Sequence, residues 1–597
     1  MLDILFVSEV TLIESMIHPY IGQLILRDIV SENYTAEILT VDSLQHEKNI
    51  PFERTVDDTL RAMTEYIIDR EPKIIDFYTV CDTFPLTIAL AENVKAKLKD
   101  SVVIFAGPYA SLLVEECLKE LPFVDIVAYT EGEKMIEKLV DNILAGNDLS
   151  DVQGIAYRSG KKIIKTEAPS LISSDELHQY FVKDFYPYYV DSRSEIELEG
   201  GRGCPFGCTF CSTSLFWKRK ARMKPIKDLL EEMQYYFNKY GSYKFFIVHD
   251  LFTSNYEYIL EFCDTLINEN KGFEWTCSSR LDTIDENLLK RMALANCTGM
   301  YIGIETGSRR LQKVLHKNLE LSRVIPIAKI CKNMGIDIVF SLIIGFPEET
   351  LEDFRETINL AEQILLVDGA NNILQIHMFS PYPATVETEK IEKKLHFPNN
   401  KAYLPITQRI CLNSRTEDIV GKYPKLCSSY LNFDSEIRNH YCMLPLFIEI
   451  VEHLKKVFRF SLLRLVSKYG ICDMYEHFLN IYNDENCDMY DEQKYNANEV
   501  LLMKNIIREY GEIVSDDEKE VFTMEILLAD MMLSDSGKYK ILKTDIDFLE
   551  ARKDGNIVKG NNKYLFFGKK LDAEVIEYNN LKFEEALIKS GYEKMND

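Results

Sequence analysis

Short apolar runs alternate with stretches of helical periodicity from residue 1 to about residue 145. The apolar runs predict strands at 4–7, 36–41, 74–78, 102–105 and 126–128, with helices between them. Strands that alternate with helices indicate a parallel, doubly wound sheet. Ligands of such sheets bind at the carboxyl ends of the strands. We therefore expect functional residues in the loops that follow these strands.

The same alternation returns between residues 195 and 385. It predicts strands at 196–199, 245–248, 274–277, 300–304, 337–344 and 372–378. Six strand–helix units indicate a partial (β/α)6 barrel, whose working face is formed by the loops at the carboxyl ends of its strands. A connector with a small hairpin around Ser159-Gly160 separates the two blocks.

Beyond residue 400 the pattern becomes mainly helical, from 436 to 533. A short β segment at 563–567 and 574–578 follows, and then a final helix at 583–589. The expected fold class is therefore α/β with four parts. These are a doubly wound domain at 1–148, a linker with the hairpin at 149–192, a partial barrel at 193–398 and a mostly helical C-terminal domain at 399–597.

Composition narrows the class of protein. Apolar residues make up 46% of the chain and charged residues 27%, as in an ordinary soluble globular protein. The 69 basic and 95 acidic residues give a formal net charge of −26, which disfavours a nucleic-acid-binding protein because phosphate backbones are repelled. No apolar run reaches the roughly 18 residues of a membrane span, and the first residues form no cationic leader. We expect a cytoplasmic protein without nucleic-acid or membrane partners.

The 14 cysteines are distributed unevenly. Cys204, Cys208 and Cys211 follow the first strand of the second block with the spacing Cys-x3-Cys-x2-Cys, on a loop that contains Gly203 and Gly207. Soft thiolates favour zinc or iron–sulfur. Structural zinc needs a fourth ligand, which this loop lacks, whereas a 4Fe–4S cluster with three cysteines leaves one iron open for another molecule. The spacing therefore favours a 4Fe–4S site over an incomplete zinc site or three buried thiols.

With Phe210 before the last cysteine, the motif resembles the Cys-x3-Cys-x-aromatic-Cys hallmark of the radical S-adenosylmethionine (radical SAM) superfamily. The loops at 249–252, 277–282, 303–308 and 344–350 match the cofactor-facing loops of that family in order and spacing. The resemblance implies that SAM binds the open iron and is cleaved to a radical. It also implies that Glu305 binds the SAM ribose, that Arg280 lies near its carboxylate and that Gly345 and Phe346 lie by its adenine. The alternatives are that Glu305 caps a helix and that Arg280 pairs locally with Asp282.

The first block is similar to the cobalamin-binding domain that precedes the barrel in many radical SAM enzymes. Their sheet loops are a Ser/Thr-rich turn, Gly-Gly-Pro and Gly-Glu-Gly-Glu. The corresponding loops here are 78–83, 106–108 and 130–133, with Ala106 and Thr130 in place of glycines. The resemblance implies cobalamin between the sheet edge and the barrel mouth, facing the cluster. The residues implied to contact it are Cys81, Thr83, Gly107, Pro108, Glu131 and Gly132.

Three further features allow two interpretations each. The run from Trp217 to Lys224 carries five positive charges and is either a solvated helix start or a local anion site. His249 and His377 lie near predicted strand ends and are either structural or cavity-lining.

These resemblances imply cobalamin-dependent C-methylation of an unactivated carbon in a peptide or natural-product precursor, in the manner of RiPP maturation. The substrate would be a small molecule or a peptide, and the electron donor a protein such as flavodoxin or ferredoxin. Epimerisation, cyclisation or cross-linking without methyl transfer is one alternative. A non-catalytic iron–sulfur sensor is the other.

Overall fold

The computed structural model describes residues 2–594, apart from 11, 13–19, 42–43, 45–54, 186–192, 368–371, 482–491, 512–514, 533–537, 555–556, 558, 570–571 and 578–592. The predicted final helix at 583–589 lies outside the described residues. None of the helices in the described ranges is long and apolar enough to cross a bilayer.

The first block forms a seven-stranded sheet, and the predicted parallel sheet is confirmed. Its strands are β1 (Ile4–Val7), β2 (Ala36–Leu39), β3 (Ile74–Tyr78), β4 (Val102–Ala106), β5 (Ile126–Ala128), β6 (Ile155–Ser159) and β7 (Lys162–Lys165), in the order β2-β1-β3-β4-β5-β6-β7. The first five strands are parallel, while the predicted hairpin β6–β7 extends the sheet in antiparallel fashion. All four residues of β1 are buried, because helices cover both faces of a parallel sheet.

The helices of this block follow the strands as the periodicity predicts. They are α1 (Ile21–Val30), α2 (Val56–Arg70), α3 (Phe84–Lys97), α4 (Pro108–Leu112), α5 (Val114–Glu120) and α6 (Ile136–Ala145). The Thr55 side chain caps the first turn of α2 by accepting a hydrogen bond from the amide of Asp58.

The second block forms a six-stranded, all-parallel sheet, as expected for a partial barrel. Its strands are β8 (Glu195–Glu199), β11 (Lys244–Val248), β12 (Glu274–Ser279), β13 (Cys297–Glu305), β14 (Asp337–Ile344) and β15 (Ile373–Met378), in the order β15-β14-β13-β12-β11-β8. A separate two-stranded ribbon pairs β9 (Gly201–Arg202) with β10 (Arg222–Met223). This ribbon closes the base of the loop that carries the three cysteines.

Helices alternate with the barrel strands. They are α7 (Thr213–Phe216), α8 (Ile226–Tyr240), α9 (Tyr256–Glu269), α10 (Glu286–Leu294), α11 (Arg309–Val314), α12 (Val324–Met334) and α13 (Leu351–Leu365), followed by the short α14 (Val386–Glu389).

The rest of the chain is mainly helical, as predicted. Its helices are α15 (Ile406–Arg409), α16 (Ser414–Lys422), α17 (Glu436–Tyr441), α18 (Leu444–Leu454), α19 (Arg459–Ile481), α20 (Glu492–Gly511), α21 (Asp516–Met532) and α22 (Phe548–Asp554). A four-stranded sheet combines β16 (Lys538–Ile546), β17 (Lys559–Lys569), β18 (Asp572–Glu577) and β19 (Glu593–Lys594) in the order β18-β17-β16-β19.

Two parts of this region pack on the preceding blocks. Apolar side chains from Leu404 to Leu431 join the hydrophobic core of the first sheet. Helix α18 packs against β15, an edge strand of the barrel, and Glu452 accepts a hydrogen bond from the amide of Leu374 at 2.9 Å. The C-terminal region therefore bridges the first sheet and the open side of the barrel.

Candidate active site

The cysteine loop begins at the end of the β9 strand and is held tightly at its base. Gly203 adopts φ +90°, and a Cβ at this position would collide with the carbonyl oxygen of Lys220. The Gly203 amide donates a hydrogen bond to Asp250 at 2.7 Å. The chain therefore turns into the loop in a conformation that favours glycine.

The three cysteine thiols are partly exposed neighbours. Burial raises the pKa of Cys204 and of Cys211, and the nearby Cys208 thiol raises both further. Thiolates in such a group need a positive centre to stabilise them, which a metal site provides. Within the described part of the chain, no three His, Cys, Asp or Glu side chains are close enough to hold one metal ion. Three soft thiolate donors on one loop are the ligand type that an iron–sulfur cluster takes.

Arg202, two residues before Cys204, lies at the centre of a buried group of charges. Its guanidinium contacts Glu199 at 2.7 Å, Glu131 at 2.9 Å and Glu133 at 2.6 Å. Both Glu131 and Glu133 lie in the loop after β5, and less than a tenth of each side chain is exposed. A second guanidinium, that of Arg222, contacts Glu131 at 2.8 Å and the carbonyl oxygen of Ile172 at 2.6 Å.

This charge network consists of Glu131, Glu133, Glu199, Arg202 and Arg222. It joins the carboxyl edge of the first sheet to both strands of the ribbon that closes the cysteine loop. Burial opposes ionisation of Glu199, but the Arg202 charge outweighs it and the pKa of Glu199 is lowered. The position of the cysteine loop is thus coupled electrostatically to the first sheet.

Glu305 ends strand β13 and faces the barrel interior. It adopts φ +67°, a conformation that side chains with a Cβ seldom occupy, and its Oε1 lies 2.8 Å from Lys317 Nζ. Ser308, not Glu305, caps the following helix by accepting a hydrogen bond from the Leu311 amide. The alternative interpretation of Glu305 as a helix cap is therefore wrong.

Arg280 combines the local pairing with contacts to the cysteine loop. Its Nε donates to Asp282 at 2.7 Å, and its Nη2 donates to the carbonyl oxygen of Lys317. The guanidinium also lies over the Phe206 ring at 3.9 Å, with Nη1 3.8 Å from Cys208 Sγ. Arg280 therefore connects the cysteine loop with the loop that contains Lys317, the ion-pair partner of Glu305.

Gly345 and Phe346 follow β14 and surround a buried carboxyl group. Glu349 accepts hydrogen bonds from the amides of both residues, the Phe346 bond being 3.1 Å long. Gly345 has φ +77°, and a Cβ there would press on Met378 and on Arg438. Burial raises the pKa of Glu349 to about 8, despite the two amides that donate to it. Burial likewise lowers the pKa of Arg438 to about 9.

One cavity of about 1490 Å³ lies between the barrel strands and the C-terminal helices. Its lining includes Asp82 from the loop after β3, Phe210 from the cysteine loop, Glu305 and His377 from the barrel and Tyr382 from the following segment. Burial lowers the pKa of His377, although the charges of Glu305 and Asp82 act in the opposite direction. His377 therefore lines the cavity, which is the second of its two predicted interpretations.

His249 and the basic run have other surroundings. The His249 ring is buried and its Nδ1 accepts a hydrogen bond from the Leu251 amide at 2.8 Å, which favours the structural interpretation, while its buried Nε2 has no partner among the described residues. Within the basic run, Arg222 belongs to the charge network, and Lys224 is buried against Glu232 at 2.7 Å. Lys218, Arg219 and Lys220 remain exposed, in a turn between α7 and β10 and not in a helix.

The residues implied to contact cobalamin lie along the carboxyl edge of the first sheet. Cys81 contacts the Tyr382 hydroxyl at 3.3 Å, beside the cavity-lining Asp82. Thr83 is buried, and its hydroxyl has no hydrogen-bond partner within the described residues. Gly107 has φ +93° and precedes Pro108, the first residue of α4. Gly132 packs against Leu26.

Glu131, the remaining residue implied to contact cobalamin, forms ion pairs with Arg202 and Arg222. Its role toward a cofactor stays a prediction, as does that of the remaining residues. Of all the predicted site residues, the cavity lining includes Phe210 and Glu305.

The sequence analysis missed several residues that shape this site. They are Arg202, Lys317, Glu349, Tyr382 and Arg438; of these, Arg202, Tyr382 and Arg438 have partners more than 50 residues away in sequence. Only the position of Arg202 within Gly-Arg-Gly-Cys, and that of Glu349 just after Gly345 and Phe346, gave a local signal.

Residues 198–361 match the model of the radical SAM superfamily and form a radical SAM domain. An uncharacterised methyltransferase of Pyrococcus horikoshii is 28% identical over 370 residues, which are 62% of this chain and 77% of that protein. An anaerobic magnesium-protoporphyrin IX monomethyl ester cyclase of Rubrivivax gelatinosus is 25% identical over 307 residues, which are 50% of this chain and 54% of that protein. The chain thus spans about half the length of this second relative.

Two solved structures share the fold. The radical SAM methyltransferase TsrM from Kitasatospora setae, with tryptophan substrate and a SAM analogue bound, has a TM-score of 0.55 at 15% identity, covering 75% of this chain and 88% of that chain. The cobalamin-dependent radical SAM enzyme OxsB, with aqua-cobalamin bound, has a TM-score of 0.51 at 14% identity, covering 89% of this chain and 76% of that chain. The order of a doubly wound sheet, a radical SAM barrel and a helical region is thus found in known radical SAM enzymes.

Removal of Arg202 tests the charge network. Arg202→Met leaves three buried carboxylates without this guanidinium, and we expect a loss of about 3–5 kcal/mol in unfolding free energy. Arg202→Lys keeps the positive charge but has fewer hydrogen-bond donors. Its unfolding free energy should therefore lie between those of Arg202→Met and the wild type. Urea unfolding followed by tryptophan fluorescence measures the unfolding free energy, since Trp217 and Trp275 are the two tryptophans and lie in the radical SAM domain.

Lys134→Met, which removes the more exposed ion pair with Glu176, is the control and should lower the unfolding free energy by about 1 kcal/mol or less. Equal losses for Arg202→Met and Lys134→Met would contradict the network.

The buried Glu349 carboxyl makes the stability of the protein fall as the pH rises. Its folded pKa of about 8 exceeds the ordinary value of 4.5, so its contribution to stability is fully present below pH 4.5 and is lost as the pH rises through 8. Glu349→Gln keeps an acceptor for the two amides but cannot ionise. We therefore expect the melting temperature of the variant to rise relative to wild type between pH 6 and pH 9. Glu348→Gln, at an exposed neighbour, should show no such trend. A difference between Glu349→Gln and wild type that does not vary with pH would refute the buried, neutral carboxyl.

Proposed function

We propose that this radical SAM enzyme is a cobalamin-dependent C-methyltransferase that acts on a peptide or natural-product precursor. The observation that carries the proposal is a cavity lined by Asp82 from a loop of the first sheet, by Phe210 from the cysteine loop and by the barrel strands. At about 1490 Å³ it exceeds the 300–1,000 Å³ or so of an ordinary small-molecule pocket. Such a volume suits a large cofactor together with a substrate.

The cysteine loop fits the role of cluster holder. Cys204, Cys208 and Cys211 would bind three irons of a 4Fe–4S cluster and leave the fourth open to SAM. When bound, the cluster and SAM supply a radical that removes a hydrogen atom, and cobalamin supplies the methyl group. The work of the protein is then to position these groups and to shield them from water.

The barrel residues provide a polar end for SAM. The Lys317 ammonium keeps the Glu305 carboxylate paired in the buried barrel mouth, where this carboxylate would accept hydrogen bonds from ribose hydroxyls. Arg280 lies over Phe206 and next to Cys208, and its guanidinium would pair with the carboxylate of SAM. Phe210 packs edge to face on Phe346, and Phe346 packs at a tilt on Phe379, with ring centroids 5.6 and 5.2 Å apart, which gives an apolar wall beside the cluster loop.

The edge of the first sheet offers polar side chains that would hold cobalamin. The buried Thr83 hydroxyl lacks a partner in the described residues, and Asp82 and Tyr382 face the cavity. Asp82 is oriented by Thr407 at 3.0 Å and Gln408 at 3.1 Å, so its carboxylate is held in place by the segment that packs on the first sheet. These residues would hold the cofactor between the sheet edge and the barrel mouth.

Spectroscopy and mass spectrometry test this function together. After reconstitution with iron, sulfide and hydroxocobalamin, we expect both cluster and corrin absorbance. With SAM, a reductant and a candidate peptide or natural-product precursor, we expect a product heavier by one methyl group. Cyclisation or cross-linking would instead give a loss of two hydrogens, epimerisation would leave the mass unchanged, and each of these outcomes would refute methylation. Absence of corrin absorbance would refute the cobalamin site.

Cys208→Ala separates the two cofactors in the same experiment. It should abolish cluster absorbance and SAM cleavage but keep corrin binding. Cys472→Ala, at a partly buried thiol in α19, should change neither. Retained SAM cleavage in Cys208→Ala would overturn the cluster assignment.

Glu305→Gln tests the proposed SAM contact. Hydrogen bonds to a charged group contribute about 1.5–3 kcal/mol, so we expect SAM affinity to fall roughly 10- to 150-fold with iron content unchanged. Calorimetric titration with SAM and iron analysis provide the two readouts. Glu320→Gln, at an exposed carboxylate, is the control. Loss of iron in Glu305→Gln would show that this residue is structural.

A further inference from the structure

The turn after the cysteine loop places three exposed cations on a strongly acidic protein. Lys218, Arg219 and Lys220 are exposed, and no ion pair is found for them within the described part of the chain. Lys218 and Arg219 have φ +53° and +57°, consecutive left-handed conformations that are costly for residues with side chains. Together with Trp217, these residues are called the basic patch below.

The basic patch is fixed to the cysteine loop at three points. The carbonyl oxygen of Lys220 packs against Gly203, where no side chain would fit, and the Arg219 guanidinium packs against Gly207 in the same way. Asp250 accepts hydrogen bonds from the Gly203 amide and from the Trp217 side chain. The cations therefore stand next to the residues that precede Cys204 and Cys208, and their position cannot change without moving the loop.

The patch also has the composition of a protein interface. The Trp217 ring is partly exposed and packs edge to face on Phe216, while Leu215 beside it is 44% exposed. Aromatic residues and arginine are enriched at interfaces. A groove of about 660 Å³ lies at this surface, lined by Pro205, Arg219, Lys220 and Tyr256 among others.

We propose that the basic patch is the docking surface for a small acidic electron-transfer protein that reduces the cluster. The inference rests on the proposed function, because it requires a cluster held by Cys204, Cys208 and Cys211. One electron leaves the reduced donor and enters the cluster, and no bond forms or breaks in this step. A surface with net charge −26 repels an acidic partner on average, whereas the exposed cations of the basic patch attract it beside the cysteine loop.

Binding of a purified flavodoxin, as an acidic probe, tests the surface independently of activity. The variant Lys218→Glu/Lys220→Glu reverses two exposed charges and spares Arg219, which contacts the loop. We expect at least a tenfold weaker affinity by calorimetry at low salt, and a smaller difference at high salt because screening weakens the wild-type attraction. The control Lys161→Glu/Lys162→Glu reverses two exposed charges on the β6–β7 hairpin and should bind as wild type does. Equal affinities for wild type and the Lys218/Lys220 variant would overturn the proposal.

Reduction with two different donors separates failure of the docking surface from failure of the proposed function. With dithionite, the Lys218/Lys220 variant should cleave SAM as fast as wild type, whereas with reduced flavodoxin it should be at least tenfold slower. No cleavage by wild type with dithionite would refute the proposed function itself. Should the variant lose cleavage with dithionite, Lys218→Gln/Lys220→Gln decides the question, and an unchanged flavodoxin-driven rate in that neutral pair would overturn the proposal.

Discussion

The buried charge network around Arg202 is the interaction on which the rest of the site depends. Arg202 and Arg222 form the ends of the ribbon that closes the cysteine loop, and their carboxylate partners Glu131 and Glu133 belong to the first sheet. Removing one partner from a buried ion pair leaves an uncompensated charge, which is far more costly than the net value of the pair. The network therefore fixes the cysteine loop relative to the sheet edge and disfavours any other arrangement of the two.

A second set of contacts holds the loop after β3 beside the cavity. Cys81 and Asp82, after strand β3, contact Tyr382, Thr407 and Gln408 from the segment that follows the barrel. Apolar residues of the same segment lie in the core of the first sheet. The loop after β3, which contributes Asp82 to the cavity lining, is thus held by residues more than 300 positions away in sequence.

Local patterns were sufficient to predict both parallel sheets, the cysteine motif and the hairpin, because each depends on the sequence within one element or turn. Pairings between distant residues were not predictable from a single sequence. Glu131 was assigned to a cofactor loop by its motif, whereas its carboxylate is paired with Arg202, 71 residues away. Likewise, nothing local connects Glu305 with Lys317, or shows that residues near 410 pack on the first sheet. The sequence of the basic run does not show which of its cations are exposed. In the structure, Arg222 and Lys224 are buried in ion pairs, and only the cations at 218–220 are exposed.

Asp82 at the sheet edge and Phe210 in the cysteine loop line one cavity, and we propose that cobalamin and the cluster lie close together at its two sides. Electron paramagnetic resonance of the enzyme loaded with cob(II)alamin and a reduced 4Fe–4S cluster tests this directly, because two unpaired spins that share a cavity broaden and split each other's signals. We expect the spectrum of the doubly loaded enzyme to differ from the sum of the two singly loaded spectra. A spectrum equal to that sum, with both cofactors present in full, would contradict the account.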